Sequence, residues 1–291
     1  MDTQVQEGPA IEVAAVSKSF RKRAGSRLGR RAEVRKLALD RVSLRVERGE
    51  IVGIVGLNGS GKSTLIRVLA TLTTPDSGSV RVFGRDVVDD AARVRRQINR
   101  VSVDAAFAKE MSPWENLSFA SRLYGDNAPD RRQRALQALA RLGLPRDTVD
   151  RPMKQLSRGQ QQKVAIARSL LTSPSLLLMD EPTTGLDPRS KREVQSFVRT
   201  LQTDSGATVL VCTHDLDEAE ALCRRVLILD RGRVVADGGA AELRARYGES
   251  AGASLEDVFL RLTGRSFGDD SEDDDDAYRE QAEAGVTEAV L

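Results

Sequence analysis

Gly56-Leu57-Asn58-Gly59-Ser60-Gly61-Lys62-Ser63 is the stretch that decides the fold. It fits G-x-x-x-x-G-K-[ST] at every fixed position. Before it, the apolar run Ile51-Val52-Gly53-Ile54-Val55 predicts a buried parallel strand, and after it Ser63-Thr64-Leu65-Ile66-Arg67-Val68-Leu69 predicts the start of a helix. Strand, glycine-rich turn and helix together make a phosphate cradle. Glycine lets the backbone bend sharply and bring its N–H groups close to phosphate oxygens. The helix N-terminus adds the positive end of its dipole to the same anion. Gly56, Leu57, Asn58, Gly59, Ser60, Gly61, Lys62, Ser63 and Thr64 are therefore the expected phosphate-binding set. Lys62 should reach the β- and γ-phosphates, and the Ser63 hydroxyl should ligate Mg²⁺.

Two further apolar runs carry polar groups at their carboxyl ends. Ser175-Leu176-Leu177-Leu178-Met179 leads into Asp180-Glu181, and Val209-Leu210-Val211-Cys212-Thr213 leads into His214, the chain's single histidine. Strands buried on both faces deliver their carboxyl ends to the ligand crevice of an open α/β sheet. Asp180 is then placed to hold Mg²⁺ and Glu181 to polarise an attacking water, a positioned base contributing ~10²–10⁴-fold in rate. His214, at the end of the next strand, is placed to hydrogen-bond a γ-phosphate and sense its loss.

With Leu156-Ser157-Arg158-Gly159-Gln160 added, and Thr183-Thr184-Gly185-Leu186-Asp187-Pro188 after Glu181, the chain from Ile11 to Gly264 resembles the ATP-binding cassette family, specifically the nucleotide-binding subunit of an ABC transporter. The resemblance implies an α/β fold of the P-loop NTPase type. Its mostly parallel core sheet would carry an antiparallel strand subdomain and a helical insertion at about 104–156. It also implies ATP and Mg²⁺ as cofactors. In the family, the signature Ser and second Gly of one subunit close over ATP held by the phosphate loop of the other. By that likeness Ser157, Gly159 and Gln160 complete a neighbour's site in a head-to-tail dimer, and Asp187 lies in the loop linking the two sites. Arg158 stands where the family has its first signature glycine, a departure expected to be mild.

Phe20 lies where the family places an aromatic on adenine, a contact worth ~1–3 kcal/mol by stacking. The other reading is a core Phe closing the first strand, Ile11 to Val16. Val103 falls where the family has a glutamine that touches Mg²⁺ or the attacking water. Valine has no hydrogen-bonding atoms, and either Asp104 or Ser102 compensates or the alignment slips by a gap. Glu181, Asp180 and His214 are intact beside it.

At 291 residues, with a net charge of +2 and 40% hydrophobic residues, the chain has room for one α/β domain and an appendage. No apolar run approaches the ~18 residues that span a bilayer, and the start Met1-Asp2-Thr3-Gln4-Val5-Gln6-Glu7 does not read as a signal peptide. Cys212 and Cys223 lack metal spacing and read as reduced, packed thiols. These features predict a cytoplasmic chain without a membrane span, and the family resemblance implies a peripheral subunit on the cytoplasmic face of the cell membrane, working with membrane permease subunits and a second ATP-binding subunit.

The predicted organisation is a cassette over 1–265 and an acidic tail over 266–291, where Asp269 to Asp276 holds seven acids in eight residues. Arg131 to Leu142 and Ser254 to Leu262 have helical spacing. Trp114 reads either as a side chain that docks the membrane partner or as a core anchor. Arg21 to Lys36 holds eight basic residues, one acid and no aromatic; it reads as a solvated loop, or as one facing anionic lipid or the permease. Three functions remain in competition. An exporter ATPase for a drug, lipid or polysaccharide leads. A catalytically weak regulatory subunit is suggested by Val103. A soluble ATPase acting on nucleic acid is opposed by a single cassette with no zinc spacing and no coiled coil, so no nucleic-acid partner is expected.

Overall fold

The computed structural model describes residues 8–23, 33–102, 107–123, 128–250 and 252–266. The chain opens with strands β1 (Ile11–Arg23), β2 (Glu33–Val46) and β3 (Ile51–Val55), then helix α1 (Lys62–Leu69), β4 (Ser77–Val82), β5 (Arg85–Asp86), the single turn α2 (Ala91–Val94) and β6 (Ile98–Val101). A helical section follows, with α3 (Pro113–Leu123), α4 (Arg131–Arg141) and α5 (Arg158–Ser169). The α/β pattern resumes with β7 (Leu176–Asp180), α6 (Pro188–Ser205), β8 (Thr208–Thr213), α7 (Leu216–Leu222), β9 (Arg225–Asp230), β10 (Arg233–Gly238), α8 (Ala240–Tyr247) and α9 (Leu255–Thr263).

Two sheets result. β2-β1-β4-β5 is antiparallel, and β10-β9-β3-β8-β7-β6 is parallel except for β10. The core sheet separates two apolar layers, and its strands feed both by simple alternation. Val52 and Ile54, Leu176 and Leu178, Leu210 and Cys212 enter the layer under α1 and the antiparallel sheet. Ile51 and Val55, Leu177 and Met179, Val209 and Val211 enter the layer formed with α5, α6 and α7. Burial on both faces is why these strands are continuous apolar runs. Each such side chain contributes roughly 1.5–3 kcal/mol by leaving water.

Three parallel strands lie side by side in the order β3-β8-β7, with Val55 opposite Thr213 and Cys212 opposite Asp180. The residues after each therefore emerge together at one edge. Phosphate loop, His214 and Glu181 follow β3, β8 and β7 respectively, so topology alone gathers them.

Three expectations need adjustment. The first strand runs past Val16 to Arg23, with a register shift where Ala15 takes a positive φ of 50°. The basic stretch is not simply a loop, because Arg21–Arg23 and Glu33–Lys36 are strand, paired Arg23 to Glu33 through Arg21 to Arg35 and Phe20 to Lys36. Trp114 packs partly buried against the core with the Arg132 guanidinium 5.0 Å from its ring centroid. The apolar side chains that α3 leaves in solvent are Phe119 and Leu123, 59% and 72% exposed. Val103, Asp104, residues 24–32 and the acidic run from Asp269 lie outside the described residues.

Candidate nucleotide-hydrolysis site

The phosphate loop closes over its own lysine. Lys62 is 5% exposed, and its Nζ donates to the carbonyls of Gly56 at 2.7 Å and Leu57 at 3.0 Å. Glu181 Oε1 stands 3.9 Å from the same ammonium. Gly61 has φ 110°, and a Cβ there would meet the Ala38 carbonyl at 2.4 Å; at Gly56 it would meet the Leu229 carbonyl at 2.2 Å. No side chain caps the start of α1, which leaves its first N–H groups to the loop mouth. The Ser60 hydroxyl, buried in the loop, has no hydrogen-bond partner among the described residues. Such a group is costly unless satisfied, and a phosphate oxygen would satisfy it.

A pocket of about 340 Å³ opens here, lined by Asn58, Gly59, Ser60, Gly61, Lys62, Ser63, Thr64 and Glu181, with Phe20, Lys36, Ala38 and Arg67 across from them. Phe20 is 39% exposed and carries the Lys18 ammonium 5.6 Å from its ring. It is not a core residue, and it lines the pocket. Lys36 and Arg67, which the sequence did not single out, join Lys62 in making the mouth positive. A larger concavity of about 450 Å³ lies elsewhere, lined by Arg48, Phe83, Ser175 and Thr208. Ser175 and Thr208 stand at the amino ends of β7 and β8, the edge away from the ligand crevice of such sheets.

At the deep end, Ser63 Oγ donates to Asp180 Oδ1 at 3.1 Å. Burial pushes the Asp180 carboxyl above its ordinary range, against the lowering pull of the Ser63 hydroxyl and Arg100. A hydroxyl and a carboxylate converging beside a phosphate cradle are hard oxygen donors of the kind Mg²⁺ takes, and a cation would offset the burial cost. The pair fits the metal.

Glu181 is fixed from three sides. Its backbone holds a strained φ of 53°, with its N–H donating to the Cys212 carbonyl at 2.8 Å. Its Oε2 accepts from the Thr184 hydroxyl at 2.7 Å and lies 2.6 Å from His214 Nδ1. A non-glycine residue held at positive φ stores roughly 1–3 kcal/mol and is found where geometry matters more than comfort. Behind it, Glu218 is 2% exposed and accepts from the Thr183 hydroxyl at 2.7 Å, and burial pushes its pKa up. Asp215 caps α7 through the Glu218 N–H at 3.0 Å and pairs with Lys191 Nζ at 2.7 Å. Glu218 and Lys191 were not read from the sequence. A buried acid three residues into the helix after His214 is a signal that period-3.6 reading could have caught.

The remaining sequence-predicted residues are not in this pocket. Ser157 caps α5: its hydroxyl accepts from the Gln160 N–H at 3.3 Å, while the Gln160 side chain accepts from the Ser157 N–H at 3.0 Å. This is a capping box. Asp187 caps α6, accepting from the N–H groups of Arg189 and Ser190, each at 3.0 Å. Hydrogen bonds from Ser190 hold its carboxyl below the usual range. Both thiols are buried and unpaired; burial raises Cys212 well up and Cys223 to about 12.

A parallel α/β sheet that brings a Lys62 loop, a Ser63–Asp180 pair, Glu181 and His214 to one edge, with a helical layer ahead of β7, defines an ATP-binding cassette. Residues 39–184 match the ABC transporter family, and the chain belongs to that family as an ATP-binding subunit. It is 44% identical over 230 residues to the daunorubicin resistance ATP-binding protein DrrA3 of Streptomyces coeruleorubidus, covering 79% of this chain and 71% of that one. It is 38% identical over 210 residues to the methionine import ATP-binding protein MetN of Caulobacter vibrioides, covering 71% of this chain and 63% of that one. A dimeric structure of a post-hydrolysis state of an ATP-binding cassette bound to ADP and Pi superposes with a TM-score of 0.69 at 29% identity, over 79% of this chain and 98% of that chain.

Proposed function

We propose that this chain is the Mg²⁺-dependent ATPase subunit of an exporter, acting as a head-to-tail dimer beneath separate membrane permease chains. The observation that carries it is the placement of Glu181, strained in backbone, held by Thr184 and His214, and facing the Lys62 loop. In this reading Phe20 stacks on adenine, the loop from Gly56 to Thr64 holds the phosphates, and Ser63 and Asp180 hold Mg²⁺. The metal supplies neutralisation of phosphate charge. Glu181 orients and polarises the water, and His214 fixes Glu181 while meeting the γ-phosphate. Ser157, Gly159, Gln160 and Asp187 meet the second subunit and its nucleotide.

No helix among the described residues is long and apolar enough to cross a membrane, so the translocation path is assigned to the permease. The exposed Phe119 and Leu123 of α3 offer an apolar step for that partner. Export is favoured by the higher identity to a drug-resistance protein, 44%, than to a methionine importer, 38%. The weak-subunit reading rested on Val103, outside the described residues.

Phosphate release with ATP, with and without Mg²⁺, tests the reading. Turnover is expected to need the metal, and Glu181→Gln is expected to lower it by about 10²–10⁴-fold while ATP holds the variant as a dimer in gel filtration. Near-wild-type turnover in Glu181→Gln would remove Glu181 from the role of base.

A further inference from the structure

A charge buried in the helical layer joins the two surfaces assigned above to the second subunit. Lys163, on α5, has a side chain only 5% exposed, and its Nζ bonds the Glu193 carboxylate of α6. The same ammonium reaches the carbonyl of Gly143, in the turn after α4, at 3.4 Å. Gly143 has φ 68°, and a Cβ there would stand 3.0 Å from the Glu193 carboxyl carbon. The turn presses against that carboxylate, and its positive φ favours glycine there. Glu193 also accepts from Arg189 Nε at 3.0 Å, and the Lys163 hydrogen bond is the main reason its carboxyl lies below the usual range.

From this bridge the contact between α5 and α6 continues to the first turns of both helices. A Cβ on Gly159 would lie 3.0 Å from Ser190 Oγ and 3.7 Å from Asp187 Oδ2, and one on Gly185 would lie 3.0 Å from Arg158 Nη1. Arg158 and Gly159 of the Ser157–Gln160 turn thus stand against Gly185, Asp187 and Ser190. Apolar side chains alone tolerate sliding between helices. A buried ammonium does not, because any shift leaves a desolvated charge unpaired. Fixing register is the best-attested use of buried directional groups.

We infer that Lys163 and Glu193 are positioning residues for the composite ATP site: their bridge, seated against Gly143, locks the Ser157–Gln160 turn to the Asp187 turn so that both meet the second subunit as one rigid surface. The inference rests on the head-to-tail reading under Proposed function. It assigns neither residue a contact with nucleotide.

The test uses the full chain carrying Glu181→Gln, and reads dimer mass by light scattering against ATP concentration with Mg²⁺. Adding Lys163→Met with Glu193→Leu replaces the bridge by an apolar pair of similar size, which commonly preserves folding. Nucleotide binding by the monomer should be unchanged, since neither residue lines the phosphate pocket. The ATP concentration for half-dimerisation should rise at least tenfold. Glu193→Gln, which keeps an acceptor for Lys163, should raise it less, by about threefold, and it serves as the readout if the double variant does not fold. A folded double variant that dimerises at the parent's ATP concentration overturns the inference, as does an unchanged Glu193→Gln if that variant alone folds. If the Glu181→Gln parent itself fails to dimerise with ATP, the head-to-tail reading fails, and the inference with it.

Discussion

Lys62, Ser63, Asp180, Glu181 and His214 come together at one edge of one sheet, at or after the ends of three neighbouring strands, whereas Ser157, Gln160 and Asp187 occupy the first turns of two helices outside that pocket. The first group already touches itself: hydroxyl on carboxylate, carboxylate beside imidazole, ammonium on carbonyl. The second group spends its hydrogen bonds on capping its own helices. The first group is thus a nearly assembled cluster within the chain, while the second lies at the starts of two helices, with Ser157 and Asp187 exposed. A sheet edge can gather groups distant in sequence because neighbouring strands fix one another. A helix start, in contrast, offers its groups outward, to whatever docks there.

Three experiments would break or sharpen that contrast. Lys62→Ala removes a charge-assisted bond inside the pocket, worth ~1.5–3 kcal/mol. Nucleotide titration of the monomer should show roughly 10–100-fold weaker binding, and unchanged affinity would mean the pocket is not the site. Ser157→Ala lies on the presented surface. Loss of the cap costs about 1 kcal/mol of helix stability, and the ATP needed to dimerise Glu181→Gln should rise roughly fivefold. Monomer titration should stay near the parent value. A matching loss of monomer affinity would erase the distinction between the two faces.

The smallest expected effect concerns Asp180. Burial raises its pKa above the ordinary 3.8, so the folded chain takes up that proton more readily than the unfolded one. The nucleotide-free fold therefore loses stability as pH rises from 3.8 through the raised value. Asp180→Asn should melt higher at neutral pH, and the difference should close below the ordinary carboxyl range. Thermal melts across pH decide this. A lower-melting variant at neutral pH would mean the Ser63 bond and Arg100 outweigh burial.

Spacing made much of this legible. The glycines and lysine of the loop, the three apolar runs and the acids and histidine ending them are local patterns, and the strands fell within a residue or two of their expected places. The strand extension at Arg21–Arg23 was not legible, because a run of basic residues carries no period that separates strand from loop. Trp114 was ambiguous because a ring can serve a core or a partner equally well, and only packing against Arg132 and the core decided it.

The sequence by itself determined which groups would stand together: a glycine-rich loop with its lysine, a hydroxyl and a carboxylate, a glutamate and a histidine, each named by residue type and by position after a strand. Only the tertiary structure decided that β8 lies between β3 and β7, which sets His214 Nδ1 2.6 Å from Glu181, and that Lys163 finds Glu193 across two helices. Strand order and helix pairing are long-range outcomes of which buried faces fit together, and no window of neighbouring residues contains that information.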